Sequence, residues 1–335
     1  MRSLVLRAAD SRGLARALRG SRSAQAVVRR YIAGESVDEA ITAAAVLADE
    51  GFTVTIDHVG EFVGSMDQAE QAAEVYRQVL TAVGAHRLPA GVSVKPSQFG
   101  LLLDPDACAS LVADVAGHAA SAGVHVTLDM EDLSVTEATV SLVERLRGWG
   151  HDNVGCALQA YLHRTPDDLR RLLRLGTSVR LCKGAYAEPA HLAHRRPVDV
   201  ARAFRAAAVT LLREGHEPRF ATHDHRLIAA VQRDAERLDR DRDTFELQLL
   251  HGMRPELARA LVEDGYRTRI YLPFGREWLP YFSRRLAERP ANILLFLRSL
   301  AAARTAATPR GSGPRTAPGQ RTSEDVPDSR TGVRP

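Results

Sequence analysis

The sequence predicts an α/β protein, a (β/α)8 barrel in which eight parallel strands alternate with helices. Between residues 51 and 302, short apolar or β-branched runs alternate with segments of helical periodicity, which is typical of βαβ units and a parallel sheet. Eight such units in about 250 residues match the usual size of this barrel. No strand-like run is followed by the GxGxxG pattern, so a doubly wound dinucleotide-binding sheet is the weaker alternative.

The predicted strands are continuous apolar runs, as expected where helices cover both faces of a parallel sheet. They are Phe52–His58, Val92–Lys95, Val124–Asp129, Val154–Ala160, Ser178–Cys182, Arg219–Thr222, Phe245–Leu250 and Thr268–Leu272. Helical periodicity follows them at Ala107–Ala122, Ser134–Trp149, Asp167–Leu175, Val198–Glu214, His225–Leu238 and Pro255–Glu263.

The chain divides into three predicted parts. Residues 1–50 form an N-terminal helical arm, whose last helix starts at the N-cap Ser36 and is expected to cover the bottom of the barrel. Residues 51–303 form the barrel and a C-terminal helix. Residues 304–335 contain almost no large apolar side chains and are predicted to be a disordered tail.

Charge and cysteine content narrow the function classes. Eight arginines lie in residues 1–33 and six in residues 304–335, so the high pI belongs to the ends of the chain. The central part is mildly acidic, which argues against a nucleic-acid partner. Three widely spaced cysteines predict neither a disulfide framework nor a zinc cluster and fit a cytoplasmic protein.

Only two of the 45 basic residues are lysines, Lys95 and Lys183. A compact ammonium and a planar guanidinium are not interchangeable in a tight pocket. Both lysines end predicted strands, where the functional groups of such barrels collect. We therefore expect both to have a specific role.

The other predicted strand ends carry polar, charged and aromatic side chains together. They include Asp57, Glu61, Gln98, Asp129, Glu131, Gln159, Tyr161, Arg180, Tyr186, Thr222, His223, Gln248 and Tyr271. One interpretation is a metal-dependent hydrolase in which His223 and His225, two apart on a strand, bind a metal with Asp57 or Asp129. A rim rich in Arg and Lys fits an anionic ligand better.

The predicted C-terminal helix adds a second cationic group. Arg284 and Arg285 lie four and three residues before Glu288, so this carboxylate can hold either guanidinium. Tyr281 lies one turn earlier. Such a string is often a solvated, salt-bridged helix face, but beside a charged rim it predicts a bidentate clamp for a carboxylate.

Seven motifs, in order, resemble the bacterial monofunctional proline dehydrogenase family over about residues 33–300. They are Leu-Asp-Met-Glu-Asp (128–132), Gln-Ala-Tyr (159–161), Val-Arg-Leu-Cys-Lys-Gly-Ala-Tyr (179–186), Ala-Thr-His-Asp (221–224), Phe-Glu-Leu-Gln-Leu-Leu-His-Gly-Met (245–253), Tyr-Leu-Pro-Phe-Gly (271–275) and Arg-Arg-Leu-Ala-Glu-Arg-Pro-Ala-Asn (284–292). The resemblance implies a distorted TIM barrel that binds FAD without a Rossmann unit.

The resemblance also implies residue roles. For substrate binding, the matching residues are Lys95, Tyr271, Tyr281, Arg284 and Arg285, supported by Glu288. Asp129 and Arg180 match catalytic positions, with Arg180 near flavin N5. The residues that match cofactor-lining positions, besides Arg180, are Met130, Gln159, Lys183, Gly184, Ala185, Tyr186, Thr222 and His223. No resident metal is expected.

The implied reaction is hydride transfer from C5 of L-proline to flavin N5, which gives Δ1-pyrroline-5-carboxylate. Further implied partners are a quinone acceptor, a transient contact with the inner membrane and a functional coupling to pyrroline-5-carboxylate dehydrogenase. Hydroxyproline dehydrogenase is the alternative within the family, where a small residue replaces the tyrosine before the arginine pair. Tyr281 is bulky and favours proline. A non-catalytic barrel that only binds an amino acid is a third reading.

Overall fold

Eight parallel strands close into a barrel in this computed structural model, which describes residues 25, 28–279, 281 and 282. The strands follow chain order around the barrel, and the last pairs with the first. They are β1 (Thr53–His58), β2 (Ala90–Val94), β3 (Val126–Leu128), β4 (Val154–Gln159), β5 (Val179–Cys182), β6 (Arg219–Ala221), β7 (Glu246–Leu250) and β8 (Arg267–Phe274). The predicted (β/α)8 barrel is confirmed.

Helices lie between successive strands and before the first. In chain order they are α1 (Val37–Asp49), α2 (Met66–His86), α3 (Pro105–Ser121), α4 (Leu133–Gly148), α5 (Thr165–Arg174), α6 (Pro197–Glu214), α7 (His225–Arg237) and α8 (Pro255–Glu263). Short 3₁₀ helices occupy Pro96–Phe99 and Arg242–Thr244.

Helix α1 begins as predicted but packs elsewhere. Ser36 accepts a hydrogen bond from the Glu39 N–H and Glu39 caps the Ser36 backbone in return, a capping box. The expectation that this helix covers the bottom of the barrel is wrong. It packs against β1, β8 and α2, and Arg259 of α8 pairs with Glu50 at its C-terminus at 3.0 Å. Its buried face fills the gap in the ring between α8 and α2.

Five strands end at a different residue from the predicted one, and three of them, β3, β4 and β6, simply end one residue earlier. The ends of β2 and β8 differ for reasons that the structure shows. The structure ends β2 at Val94, and Lys95 becomes the N-cap of the 3₁₀ helix, because Pro96 has no N–H for the sheet and suits the first position of a helix. Strand β8 continues to Phe274, two residues beyond the predicted end, since it pairs with β1 as far as His58. Lys95 is therefore held by a turn rather than by the sheet.

Charged side chains fill the barrel interior, where branched apolar residues are usual. Arg269 reaches Glu246 through two hydrogen bonds of 2.7 Å, and both side chains are buried. Space for these long groups comes from small neighbours. A Cβ on Gly91 would lie 3.5 Å from Arg269 Nη1 and 2.9 Å from the His125 carbonyl oxygen, so a larger residue would crowd this site. The floor of the functional face is therefore a rigid polar network.

A second apolar cluster lies at the carboxyl-terminal rim. Trp278 and Phe282, which follow β8, pack with Tyr31 and Ile32 of the N-terminal segment and with Val59 after β1. The segment after β8 thus lies over the rim. Arg284, Arg285 and Glu288, residues 1–24 of the predicted arm and the predicted tail 304–335 lie outside the described residues. Among the residues described, no helix combines the length and apolarity needed to cross a membrane.

Candidate active site

A cavity of about 940 Å³ opens at the carboxyl ends of the strands. Every predicted site residue that the structure describes lies in its wall. These residues are Lys95, Asp129, Met130, Gln159, Arg180, Lys183, Gly184, Ala185, Tyr186, Thr222, His223, Tyr271 and Tyr281. The βα loops thus bring together side chains from distant parts of the sequence at one rim, as the barrel geometry requires.

Lys95 is at the centre of a buried ionic cluster. Its Nζ donates to Oδ1 of Asp57 at 2.5 Å and lies 3.6 Å from Oδ2 of Asp129 and 3.4 Å from the Tyr271 hydroxyl. Its side chain is only 9% exposed. One ammonium therefore balances carboxylates from β1 and from the end of β3.

The two carboxylates differ in their surroundings. Burial raises the pKa of Asp57, and Lys95 only partly offsets this effect. None of the described residues donates a hydrogen bond to Oδ2 of Asp57. Burial also acts to raise the pKa of Asp129, but Lys95 and Arg180 outweigh it and hold that pKa below its usual value. Burial opposes the charge on Lys95, but the two carboxylates raise its pKa well above the usual value. Asp129 is thus the more firmly ionised acid.

Arg180 crosses the barrel interior from β5. Its Nη1 donates to Asp129 Oδ1 at 2.7 Å and to Ser93 Oγ at 2.8 Å, and its Nε donates to Gln248 Oε1 at 2.7 Å. The guanidinium carbon lies 5.3 Å from the centre of the Tyr271 ring, whose hydroxyl donates to Asp129 Oδ2 at 2.6 Å. A fixed positive charge and an aromatic face are therefore presented together to the cavity.

The opposite wall is built from the loops after β4 and β5. Gly184 has a φ of +114°, which strains any residue with a side chain. A Cβ there would also lie 2.1 Å from the Tyr161 ring, so there is no space for one. Gln159 donates to the Glu131 carbonyl at 2.7 Å and accepts from the Ala185 N–H at 3.2 Å. These contacts hold backbone, rather than bulky side chains, against the cavity.

Lys183 and His223 lie toward the mouth of the cavity. Lys183 pairs with Asp224 at 2.9 Å, and its side chain is 40% exposed. Nε2 of His223 accepts a hydrogen bond from the Leu250 N–H at 2.9 Å. The two lysines of the chain therefore have different environments, since Lys95 is enclosed by acids and Lys183 faces solvent.

The metal interpretation is not supported by this geometry. Strand β6 ends at Ala221, so His223 and His225 do not lie on one strand face, and His225 is the exposed first residue of α7. In the part of the chain that the structure describes, no group of three His, Cys, Asp or Glu residues is placed to hold a metal ion.

Glu131 is a wall residue that received no role from the sequence. Both of its carboxylate oxygens accept hydrogen bonds from Ser97, one of them from the Ser97 N–H at 3.0 Å. Burial raises the pKa of Glu131 to about 7. Ser97 also accepts from the Phe62 N–H at 3.1 Å, so this carboxyl helps to join the loops after β1, β2 and β3.

Replacing Glu131 with glutamine is expected to remove one component of the pH dependence of stability. The folded pKa of about 7 lies above the unfolded value of 4.5, so the wild-type contribution is full below pH 4.5 and is lost as the pH rises through 7. The loss amounts to at most about 3 kcal/mol. Urea unfolding between pH 5 and 8 measures it, with Glu263→Gln on exposed α8 as the control. Parallel curves for wild type and Glu131→Gln would contradict the assignment.

Sequence reasoning missed several residues of the cavity wall. Glu131 and Gln248 stand at predicted strand ends, so their position was a signal, but no motif gave them a role. Asp57, also at a predicted strand end, is not part of the wall and lies fully buried beside Lys95. His194 and Arg195 belong to the long connection between β5 and α6, where the barrel rule points to no particular residue. An anti-parallel bridge between Leu162 and Ala193 brings this segment to the cavity.

Comparison with known proteins gives one consistent family. The family model described as proline dehydrogenase matches residues 40–294. The chain is 34% identical over 274 residues to proline dehydrogenase 1 of Bacillus subtilis, covering 81% of this chain and 90% of that protein. It is also 34% identical over 278 residues to a proline dehydrogenase of Deinococcus radiodurans, covering 82% of this chain and 90% of that protein.

The solved structures support the fold. The crystal structure of proline utilization A from Bdellovibrio bacteriovorus, inactivated by N-propargylglycine, matches with a TM-score of 0.74 and 24% identity. The match covers 90% of this chain and 37% of that one. At this identity the likeness extends to the barrel and no further.

Proposed function

The chain belongs to the proline dehydrogenase family and is an oxidoreductase of proline catabolism, and on this premise we propose that it oxidises L-proline to Δ1-pyrroline-5-carboxylate with FAD. The observation that carries the proposal is the convergence of the predicted site residues on one cavity. The barrel brings the strand ends to one rim, and the polar, charged and aromatic character of the side chains gathered there supports a common ligand site.

The residues present fit FAD. The cavity, at about 940 Å³, is at the upper end of the range for small-molecule sites and has room for a substrate beside a cofactor. Gly184 lets backbone approach a planar ring. Lys183, His194 and Arg195 in the wall supply positive and hydrogen-bonding groups suited to a diphosphate. Bound FAD would supply the hydride acceptor.

The cofactor-lining residues proposed from the family all line the cavity, which supports this role. They are Met130, Gln159, Arg180, Lys183, Gly184, Ala185, Tyr186, Thr222 and His223. Arg180 is the most buried among them, at 3% exposure, and its hydrogen bonds to Asp129 and Ser93 fix its position. In this proposal its guanidinium stabilises the negative charge that develops on the reduced ring.

Proline would be held through its carboxylate. Lys95 provides a buried ammonium, and Arg284 and Arg285 would complete the clamp, supported by Glu288. Tyr271 and Tyr281 are walls for the ring. Binding through the carboxylate orients C5. The binding energy of this remote contact offsets the entropy that proline loses when it is held in the reactive pose. Asp129 fixes both Lys95 and Tyr271 and thus aligns the site.

One absorbance spectrum tests the proposal. The purified protein is expected to be yellow, with flavin bands that bleach when L-proline is added without oxygen. Glycine, which has a carboxylate but no ring to oxidise to this imine, is the control. A colourless protein that takes up no FAD would refute the proposal, and so would flavin bands that proline leaves unchanged.

Changing Tyr281 to serine is expected to admit 4-hydroxyproline. Tyr281 is 8% exposed, lines the cavity and packs in the rim cluster, so its removal opens volume beside the ring site. The ratio of kcat/KM for hydroxyproline to that for proline should rise about tenfold, as removal of a steric contact is worth about 1–3 kcal/mol. Phe282→Leu, a neighbouring change away from the cavity wall, is the control for rim packing. An unchanged ratio would show that Tyr281 does not select the substrate.

We also propose that quinone reoxidises the cofactor during a transient membrane contact, and that the product passes to a pyrroline-5-carboxylate dehydrogenase. The exposed side chains of Phe62, Leu102 and Leu103, on the loops after β1 and β2, support the membrane contact. Co-sedimentation with lipid vesicles during turnover checks it, and a protein that stays in the supernatant in both redox states would exclude it.

A further inference from the structure

A line of three buried hydrogen-bonding side chains runs from the cavity wall, where Arg180 and Gln248 lie, to Glu246 in the barrel interior. Arg180 Nε donates to Gln248 Oε1 at 2.7 Å, and Gln248 Nε2 donates to Glu246 Oε2 at 2.8 Å. The exposed fractions of the three residues are 3%, 3% and 1%. Solvent therefore cannot replace either hydrogen bond when one is lost.

The charges at the two ends fix the amide between them. If the Gln248 amide were reversed, its NH₂ group would face the Arg180 N–H, and its oxygen would face the Glu246 carboxylate. Both contacts would then be repulsive in a buried place. Gln248 thus has one stable orientation, in which it presents an acceptor to Arg180.

Glu246 is itself anchored. Its two carboxylate oxygens accept from Arg269 Nε and Nη2, each at 2.7 Å, and Oε1 also accepts from Arg267 at 3.2 Å. Burial acts to raise the pKa of Glu246, but Arg269 and Arg219 lower it far below its usual value. The Glu246 carboxylate therefore stays ionised and in place, so the Gln248 amide donates to an acceptor whose position is fixed.

Without Gln248, the hydrogen bonds that remain to the Arg180 side chain within the described residues are those at Nη1 and Nη2. Nη1 binds Asp129 and Ser93, and Nη2 lies 3.5 Å from Thr55 Oγ1. The hydrogen bond from Nε to Gln248 fixes how far the guanidinium plane is rotated about the line that joins Arg180 to Asp129. The guanidinium carbon lies over the Tyr271 ring, 5.3 Å from its centre.

We propose that Gln248, oriented by Glu246, is a positioning residue that sets the plane of the Arg180 guanidinium toward the bound flavin. This inference rests on the proposed FAD site, and it assigns a function to the charged floor of the barrel. Gln248 acts through Arg180 and not through proline, so it affects hydride transfer and the flavin potential more than substrate affinity.

The test is a set of variants of the full-length flavoprotein: Gln248→Met, Arg180→Met and the double variant. For Gln248→Met the rate of flavin reduction by proline should fall about tenfold. The equilibrium constant for flavin reduction should fall about tenfold, which corresponds to a shift of about −30 mV in the midpoint potential of a two-electron couple. The dissociation constant of tetrahydrofuran-2-carboxylate, a ring carboxylate without the oxidisable amine, should change less than about twofold.

The double variant separates action through Arg180 from a general effect on folding. Once Arg180 is methionine, Gln248→Met should cause no further change in rate or potential, because coupled residues are not additive. Gln78→Met on the outer face of α2 is the matched control, since Gln78 also donates to a glutamate, Glu74, at 3.1 Å. It should leave the rate and potential unchanged.

Additive effects in the double variant would overturn the inference, as would an unchanged potential in Gln248→Met or an equal loss of analogue affinity. A crystal structure of Gln248→Met needs no flavin, and an unmoved Arg180 guanidinium in it would also overturn the inference. If Arg180→Met does not fold, the single variant and its structure decide. A wild-type protein without flavin is a different result, since it refutes the proposed function itself.

Discussion

Replacing Lys95 with arginine is expected to reduce kcat/KM for L-proline at least about 100-fold, although the charge is conserved. The Lys95 ammonium fits between Asp57 at 2.5 Å and Asp129 at 3.6 Å, with its side chain 9% exposed. A planar guanidinium needs more space and a different acceptor geometry, and overpacking alone costs about 1–3 kcal/mol. Steady-state kinetics and thermal unfolding measure the two effects.

Lys95→Met should be at least as damaging to stability. It leaves two buried carboxylates without their shared cation, a change that costs about 3–5 kcal/mol when a buried pair is broken. Lys183→Arg is the matched control for stability, because Lys183 makes one contact, to Asp224, on a side chain that is 40% exposed. Its unfolding free energy should change by less than about 1 kcal/mol. An active, stable Lys95→Arg protein would show that the site tolerates either cation.

Replacing Asp129 with asparagine is expected to lower kcat/KM by about 100-fold or more. Asp129 accepts hydrogen bonds from Ser93, Arg180 and Tyr271 and lies beside Lys95. An asparagine NH₂ would face a donor whichever way the amide turns. Arg180 would lose the carboxylate with which it pairs at 2.7 Å, and Lys95 would keep only Asp57. Kinetics with proline and the reduction potential of the flavin report the loss.

Asp57→Asn is the informative comparison for Asp129→Asn. Burial raises the pKa of Asp57, and none of the described residues donates a hydrogen bond to its Oδ2, so a neutral amide there loses less than at Asp129. The fall in kcat/KM should be at least tenfold smaller than for Asp129→Asn, which corresponds to about 1.4 kcal/mol. Equal losses in the two variants would mean that the two acids share the negative charge.

The different fates of Lys95, Arg180 and Glu131 show why part of the site was predictable. Strand periodicity placed all three near the rim, and the family resemblance implied a role for Lys95 and for Arg180, which also lies within a motif. Glu131 also stands within a motif, but its importance comes from burial and from Ser97, which belongs to another strand end. A contact between two loops produces no periodic pattern in the sequence of either loop, so it cannot be predicted from that pattern. The roles proposed for Arg284 and Arg285 remain predictions, because these residues lie outside the described structure.

The sequence by itself determined the architecture and the family. Alternating apolar and helical segments are local patterns, and an eight-fold repeat of them has one common closed arrangement, whose strand ends meet at one rim. Only the tertiary structure decided where α1 packs, that Asp57 shares Lys95 with Asp129, and that Glu246 supports Arg180 through Gln248. These depend on distances across the barrel between groups far apart in sequence, and the energies of such buried charges are set by their neighbours rather than by residue type.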